Sequence, residues 1–145
     1  MHRKHFLKLC GYTFLVTTIP ISLSGCSSIH YVEASASDNR LKINKREFIA
    51  TKKDKTTIRP FIVISVSGLE FPIALYRASD SQYVALWTEC THQNCEVNPR
   101  SGILECPCHG SEYDISGIVL NGPAEDNLKS FHVTTDHENI YIHLS

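Results

Sequence analysis

Two hexapeptides, Cys90-Thr91-His92-Gln93-Asn94-Cys95 and Cys106-Pro107-Cys108-His109-Gly110-Ser111, hold four of the chain's six cysteines and two of its eight histidines. Cysteines that merely fill a core do not gather beside histidines in this way, so the clustering marks a metal site. Each hexapeptide offers one Cys/His pair and one spare cysteine. Two thiolates and two imidazoles are the ligand set of a 2Fe–2S cluster in which His replaces Cys on one iron. They are equally the ligand set of a structural Cys₂His₂ zinc site. The first moves electrons and the second only holds structure. Zinc leaves the spare pair, Cys95 and Cys108, without a use, which favours the cluster. That pair sits where a disulfide would tie the two loops together; two free thiols are the other option.

To act on one metal centre, the pairs must be brought side by side. Cys90 and His92 are two apart, so in a locally extended strand end both face one side. Cys106 and His109 are three apart, which suits a tight turn. A hairpin over 96–105, turning at Pro99-Arg100-Ser101-Gly102, would align the loops. Ser111 and Tyr113, at and just after the end of the second loop, could supply hydrogen bonds to sulfur; a turn residue and a core aromatic are the competing readings.

From Arg40 onward the chain is a series of short apolar runs broken by turn residues, with no helical period. Strands are expected at 41–43, 48–50, 61–66, 71–76, 83–87, 103–105, 118–119, 131–134 and 140–143, giving an all-β sandwich or barrel. Lys52-Lys53-Asp54-Lys55 reads as a solvated turn, with a basic docking patch as the competing reading. His30, His132, His137 and His143 lie away from the two hexapeptides, and Trp87 reads as core packing. A net charge of −1 over 145 residues gives no support to nucleic-acid binding.

The N-terminus is a targeting segment rather than part of the fold. Basic residues Arg3, Lys4 and Lys8 precede an apolar stretch over 9–23, which ends in Leu23-Ser24-Gly25-Cys26. That tetrapeptide resembles the lipobox of bacterial lipoproteins, which implies cleavage before Cys26 and acylation of its thiol. The stretch around Arg3-Lys4 resembles a twin-arginine export motif, with Lys4 in place of the second Arg. An uncleaved transmembrane anchor is the alternative. The resulting organisation is a signal peptide over 1–25, a lipidated Cys26 with a flexible tether to 39, and one domain over 40–145. Within that tether, 29–32 could add an edge strand.

Cys-Thr-His-x-x-Cys together with Cys-Pro-Cys-His-Gly-Ser-x-Tyr is similar to the Rieske iron–sulfur family, in its disulfide-bearing, high-potential branch. The resemblance covers about residues 60–145. It implies a Rieske-type antiparallel β-sandwich or barrel with a cluster-binding subdomain of two loops, and one 2Fe–2S cluster per chain. By position, Cys90 and Cys106 match the ligands of the inner iron, and His92 and His109 those of the outer, redox-active iron. Cys95 and Cys108 match the family's disulfide, which would close a loop worth roughly 3 kcal/mol in the chain-entropy picture. Ser111 matches a hydroxyl donor to a bridging sulfide and Tyr113 a donor to a cysteine sulfur. Gly122-Pro123-Ala124 resembles the proline loop that covers the cluster. Mixed Cys/His ligation sets a potential of about −150 to +300 mV, against about −400 mV for plant-type ferredoxins.

The expected protein is a periplasmic, membrane-tethered one-electron carrier with redox protein partners, a cytochrome or an oxidoreductase subunit, and no bond-making chemistry of its own. The rival is a permanent Rieske subunit of a cytochrome bc-type or molybdenum oxidase complex. Gln93 and Asn94 stand where quinol-oxidising members carry Leu-Gly, and 13 residues separate His92 from Cys106, a shorter interval than the family's usual one.

Overall fold

The computed structural model describes residues 29–145, so the stretch read as a signal peptide and Cys26 lie outside the described residues. The architecture is all-β, as expected. A seven-stranded sheet runs in the order β1 (Tyr31–Ala34), β5 (Phe61–Val66), β6 (Ile73–Arg77), β7 (Tyr83–Trp87), β12 (Ser130–Thr135), β13 (Asn139–His143) and β2 (Arg40–Asn44). Only the β1–β5 pair is parallel in this sheet; every other neighbour is antiparallel. The outer strands β1 and β2 approach one another, so the sheet nearly closes into a barrel. Inside it pack Leu41, Ile43, Phe48, Ile62, Ile64, Ile73, Leu75, Ile140 and Ile142. In β2 and β13 the residues facing this core alternate with more exposed ones, the period-2 pattern of a sheet with one buried face.

A second, four-stranded sheet carries the two hexapeptides: β11 (Val119–Asn121), β10 (Glu112–Asp114), β9 (Ile103–Glu105) and β8 (Asn98–Pro99). The hairpin expected over 96–105 is β8–β9, closed by the Arg100 N–H on the Ile103 carbonyl. Its turn is tied to the barrel by the Tyr76 hydroxyl, which donates to the carbonyl of Arg100 at 2.9 Å. A separate core, Ala74, Leu86, Val97, Leu104, Tyr113, Ala124 and Leu128 with Cys90 and Cys106, joins this sheet to the barrel wall.

Two segments are more structured than their sequence expectation, a tether with an optional edge strand and a solvated turn. The stretch read as a tether already forms the edge strand β1, because Tyr31–Ala34 find a partner along β5. Lys52-Lys53-Asp54-Lys55 is the tip of a ribbon of β3 (Ile49–Lys52) and β4 (Lys55–Ile58), and Phe48 closes a 3₁₀ turn (Lys45–Phe48) ahead of it. Among the described residues no helix is long and apolar enough to cross a membrane.

Candidate metal centre

The two hexapeptides fold as matching turns. In the first, the Cys90 N–H donates to the Cys95 carbonyl at 2.8 Å and the Cys90 carbonyl accepts from Asn94 N–H at 2.9 Å. In the second, the Cys106 N–H donates to the Ser111 carbonyl at 2.8 Å and the Cys106 carbonyl accepts from Gly110 N–H at 3.0 Å. Both turns place a left-handed residue at the same point, Asn94 at φ 54 and Gly110 at φ 77. Asn and Gly are the residues that tolerate this conformation. The Cys90–His92 stretch is therefore a turn and not an extended strand end, since the Asn94 N–H folds back on Cys90.

The structure sorts the six predicted side chains into three pairs. Cys90 and Cys106 are free, buried thiols, each 1 % exposed and in mutual contact. His92 and His109 stack edge to face with ring centroids 4.9 Å apart, His92 half-buried and His109 exposed. Cys95 and Cys108 form a disulfide with Cα atoms 6.5 Å apart, which clamps one turn to the other. The sulfurs of Cys95, Cys106 and Cys108 also lie within 4.8 Å of one another. That trio cannot hold a metal, because the disulfide consumes two of its thiols.

Hydroxyl groups surround the buried sulfurs. Tyr113, fully buried on β10, puts its oxygen 3.4 Å from Cys90 Sγ, 3.0 Å from Thr91 Oγ1, and within reach of the Thr91 N–H at 3.3 Å. Thr91 gives its own hydroxyl proton to the Asp126 carbonyl at 2.7 Å. The Tyr113 proton is therefore left for Thr91 Oγ1 or for Cys90 sulfur. Burial pushes the Cys90 thiol up, but Tyr113, Cys106 and the N–H groups of His92 and Gln93 outweigh it and bring its pKa below the usual thiol value. Burial, reinforced by Cys90, raises Cys106, and the same two causes raise Tyr113.

Ser111 is also fully buried, and its Oγ accepts the Ala124 N–H at 3.0 Å. This bond fastens the 122–124 loop, with its cis Gly122–Pro123 peptide, to the second turn. Among the described residues, no acceptor takes the Ser111 hydroxyl proton. Sequence reasoning missed Thr91 and the Asp126 carbonyl. Thr91 was visible in the motif, but a backbone acceptor 35 residues away leaves no sequence signal.

These features fit an iron–sulfur cluster. Two adjacent buried thiols and two outward imidazoles supply the mixed donor set, and the Ser111 proton without a protein acceptor suits a sulfide. Comparison with known proteins agrees. A sequence model of the Rieske [2Fe-2S] domain matches residues 49–132. The chain belongs to the Rieske family, and the cofactor of such a domain is a 2Fe–2S cluster, an electron-transfer centre.

The cytochrome b6-f complex iron-sulfur subunit of Synechococcus sp. (strain RCC307) is 42% identical over 55 residues, which are 37% of this chain and 31% of that one. The corresponding subunit of Prochlorococcus marinus is 44% identical over the same shares. The matched stretch thus spans about a third of the length of these curated relatives. Among solved structures, the plasma membrane Rieske protein PetC3 from Synechocystis PCC 6803 is similar with a TM-score of 0.51 and 29% identity, over 57% of this chain and 85% of that one. The apo form of the quaternary ammonium Rieske monooxygenase CntA shares the fold alone, at 16% identity and a TM-score of 0.54, over 71% of this chain and 32% of that one.

Proposed function

We propose that this protein is a one-electron carrier, exported, held at the periplasmic side of a bacterial membrane through a lipid on Cys26, and ligating its cluster through Cys90, Cys106, His92 and His109. The observation that supports it most is the sorting of the side chains: thiols inward, imidazoles outward, and the remaining cysteines spent on a clamp. When bound, the cluster supplies one electron at a time at a potential raised by its two neutral His ligands. The chain's own residues do the rest. Cys90 and Cys106 hold their thiolates out of water, and Tyr113 and Ser111 direct hydroxyl protons toward the sulfur side. The disulfide fixes the spacing of the two turns. His92 and His109 form the outer edge of the site, which makes them the port to a partner.

The domain limits follow the same reading: a signal peptide over 1–25, a lipidated Cys26, and the Rieske domain beyond it. The ordered edge strand β1 shortens the tether to a few residues. The relatives named as cytochrome b6-f subunits support a second reading, a permanent subunit of a quinol-oxidising complex. Gln93, exposed beside His92, weakens it because a polar side chain at the tip suits an apolar quinol pocket poorly.

The test is a pull-down from native membranes combined with iron and sulfide analysis of the purified protein. A 2Fe–2S centre with the spectroscopic signature of nitrogen-bound iron is expected, lost in His92→Ala and in Cys106→Ala. A redox protein should be captured transiently. Iron-free, zinc-containing material would overturn the carrier, and stoichiometric co-purification of a cytochrome b would select the subunit reading.

A further inference from the structure

The ribbon of β3 and β4 takes no part in the metal centre. Every residue over 51–58 is exposed. Its turn residues Lys53 and Asp54 are both left-handed, at φ 47 and 62, where Asn-Gly is the relaxed choice. Lys52, Lys53 and Lys55 are therefore gathered at a free tip. Near the base, Ile49 and Ile58 are cross-strand partners, 47% and 56% exposed, an apolar pair open to solvent. The base itself is fixed. Arg59 Nη1 donates to the carbonyls of Glu47 and Ile49 at 3.0 and 2.6 Å.

Placement adds a direction. The ribbon leaves the barrel beside the start of β5, whereas the cluster turns follow Trp87, which pairs with Ile73 and through it lies level with Ile64, farther along β5. Phe61 and Ile64 are roughly 10 Å apart at the rise of a strand, and the chain runs on past Trp87 before it reaches Cys90. The N-terminal segment also enters at the ribbon end. His30 Nε2 is 2.8 Å from Glu47 Oε2, and the Val63 N–H donates to the His30 carbonyl. Exposed Ile29 and Tyr31 flank that point. From Cys26 to His30 the chain can span at most about 14 Å. Charge is uneven between the two regions: residues 40–59 carry eight Lys and Arg against two acidic residues, and residues 88–128, which hold the cluster turns, carry one against seven.

We propose that the β3–β4 ribbon is a membrane-docking arm. Its lysines engage the phosphates of anionic phospholipid and Ile49 and Ile58 enter the interfacial layer, so the domain stands with both cluster turns pointing away from the bilayer. The proposal rests on the tether at Cys26 for proximity, while the ribbon supplies orientation.

The full-chain protein, purified with its cluster and reconstituted into phosphatidylcholine vesicles with or without phosphatidylglycerol, is treated with an amine-acetylating reagent and digested for mass analysis. Lys52, Lys53 and Lys55 should be protected several-fold on the anionic vesicles and lose that protection in high salt. Lys129, which lies over the Trp87 ring near the cluster end, should react equally on both. The variant K52E/K53E/K55E should lose anion-dependent partitioning by a factor of the order of 100, with the cluster's spectrum unchanged. Equal reactivity of the ribbon lysines on both vesicles overturns the arm. So does protection that appears only in native membranes, which would assign the ribbon to an acidic protein. The mass of the N-terminal peptide separates the two readings. Unmodified Cys26 with protected lysines removes the tether and keeps the arm; acylated Cys26 with reactive lysines does the reverse.

Discussion

Around the buried thiols, single protons decide the chemistry. Thr91 spends its one hydroxyl proton on the Asp126 carbonyl, so Tyr113 must donate to whatever else lies beside it, Thr91 Oγ1 or Cys90 Sγ. A thiolate that gains charge on reduction draws that proton harder. Tyr113→Phe should therefore lower the reduction potential by about 60 mV, the one-electron equivalent of a hydrogen bond of about 1.4 kcal/mol, in a redox titration of the holoprotein. Ser111 has a different weakness. Its Oγ is the acceptor for a buried Ala124 N–H, so Ser111→Ala leaves that donor unmet at a cost of about 1–3 kcal/mol in denaturant unfolding. Such a loss also frees the 122–124 loop. The two hexapeptides were legible because ligand chemistry demands particular residue types at fixed intervals. Thr91 was not, because its role depends on a carbonyl brought near only by the fold.

Among the elements, turns carry more of the stability than their length suggests. Gly117, between β10 and β11, sits at φ +87, and a Cβ there would come within 2.9 Å of the Leu86 side chain. Leu86 is fully buried and belongs to the core joining the two sheets, so it has little room to move. Gly117→Ala should cost about 2 kcal/mol or more, read as a lower denaturation midpoint, whereas Gly68→Ala, with nothing near its Cβ, should cost only the conformational strain. The β12–β13 turn is built on Asp136. Its carboxylate accepts from the Tyr141 hydroxyl at 2.7 Å and from the N–H groups of Asn139 and Glu138 at 2.6 and 2.8 Å, which hold it well below the usual carboxylate range. A depressed folded pKa stabilises above the unfolded value of about 3.9 and is lost as pH falls through the folded one. The wild type should lose stability below pH about 4, and Asp136→Asn should flatten that acid limb, measured by thermal melts across pH. Most barrel strands were readable from apolar runs, since β5 and β6 bury residues on both faces, while β2 and β13 alternate. β4 was not, because Lys-Thr-Thr-Ile faces water on both sides and carries no such pattern. The three-residue strand β10 was too short to show a period.

For the whole molecule, a net charge of −1 conceals a strongly basic segment and a strongly acidic one. Seven of the acidic residues lie between Glu89 and Asp126, among them Glu89 and Glu96, which pair across the base of the first turn, and Glu125 and Asp126 beside Thr91. The imidazole edges of His92 and His109 therefore open into a negative field, and the lysine ribbon leaves the barrel beside the start of β5. A field of this sign concentrates cations at the port and repels anions. Oxidation of the reduced protein by a cationic metal complex should be fast at low salt and slow as ionic strength rises, while oxidation by ferricyanide should show the opposite dependence. The double variant Glu125→Gln/Asp126→Asn should weaken both dependences. Reversing the ribbon lysines should leave them nearly unchanged at about 0.1 M salt, because the ribbon is farther from the port than the Debye length of about 10 Å. Stopped-flow rates with the two oxidants measure this. If the ribbon variant moved them as strongly as the acidic one, the field at the port would belong to the net charge and not to the rim around the cluster.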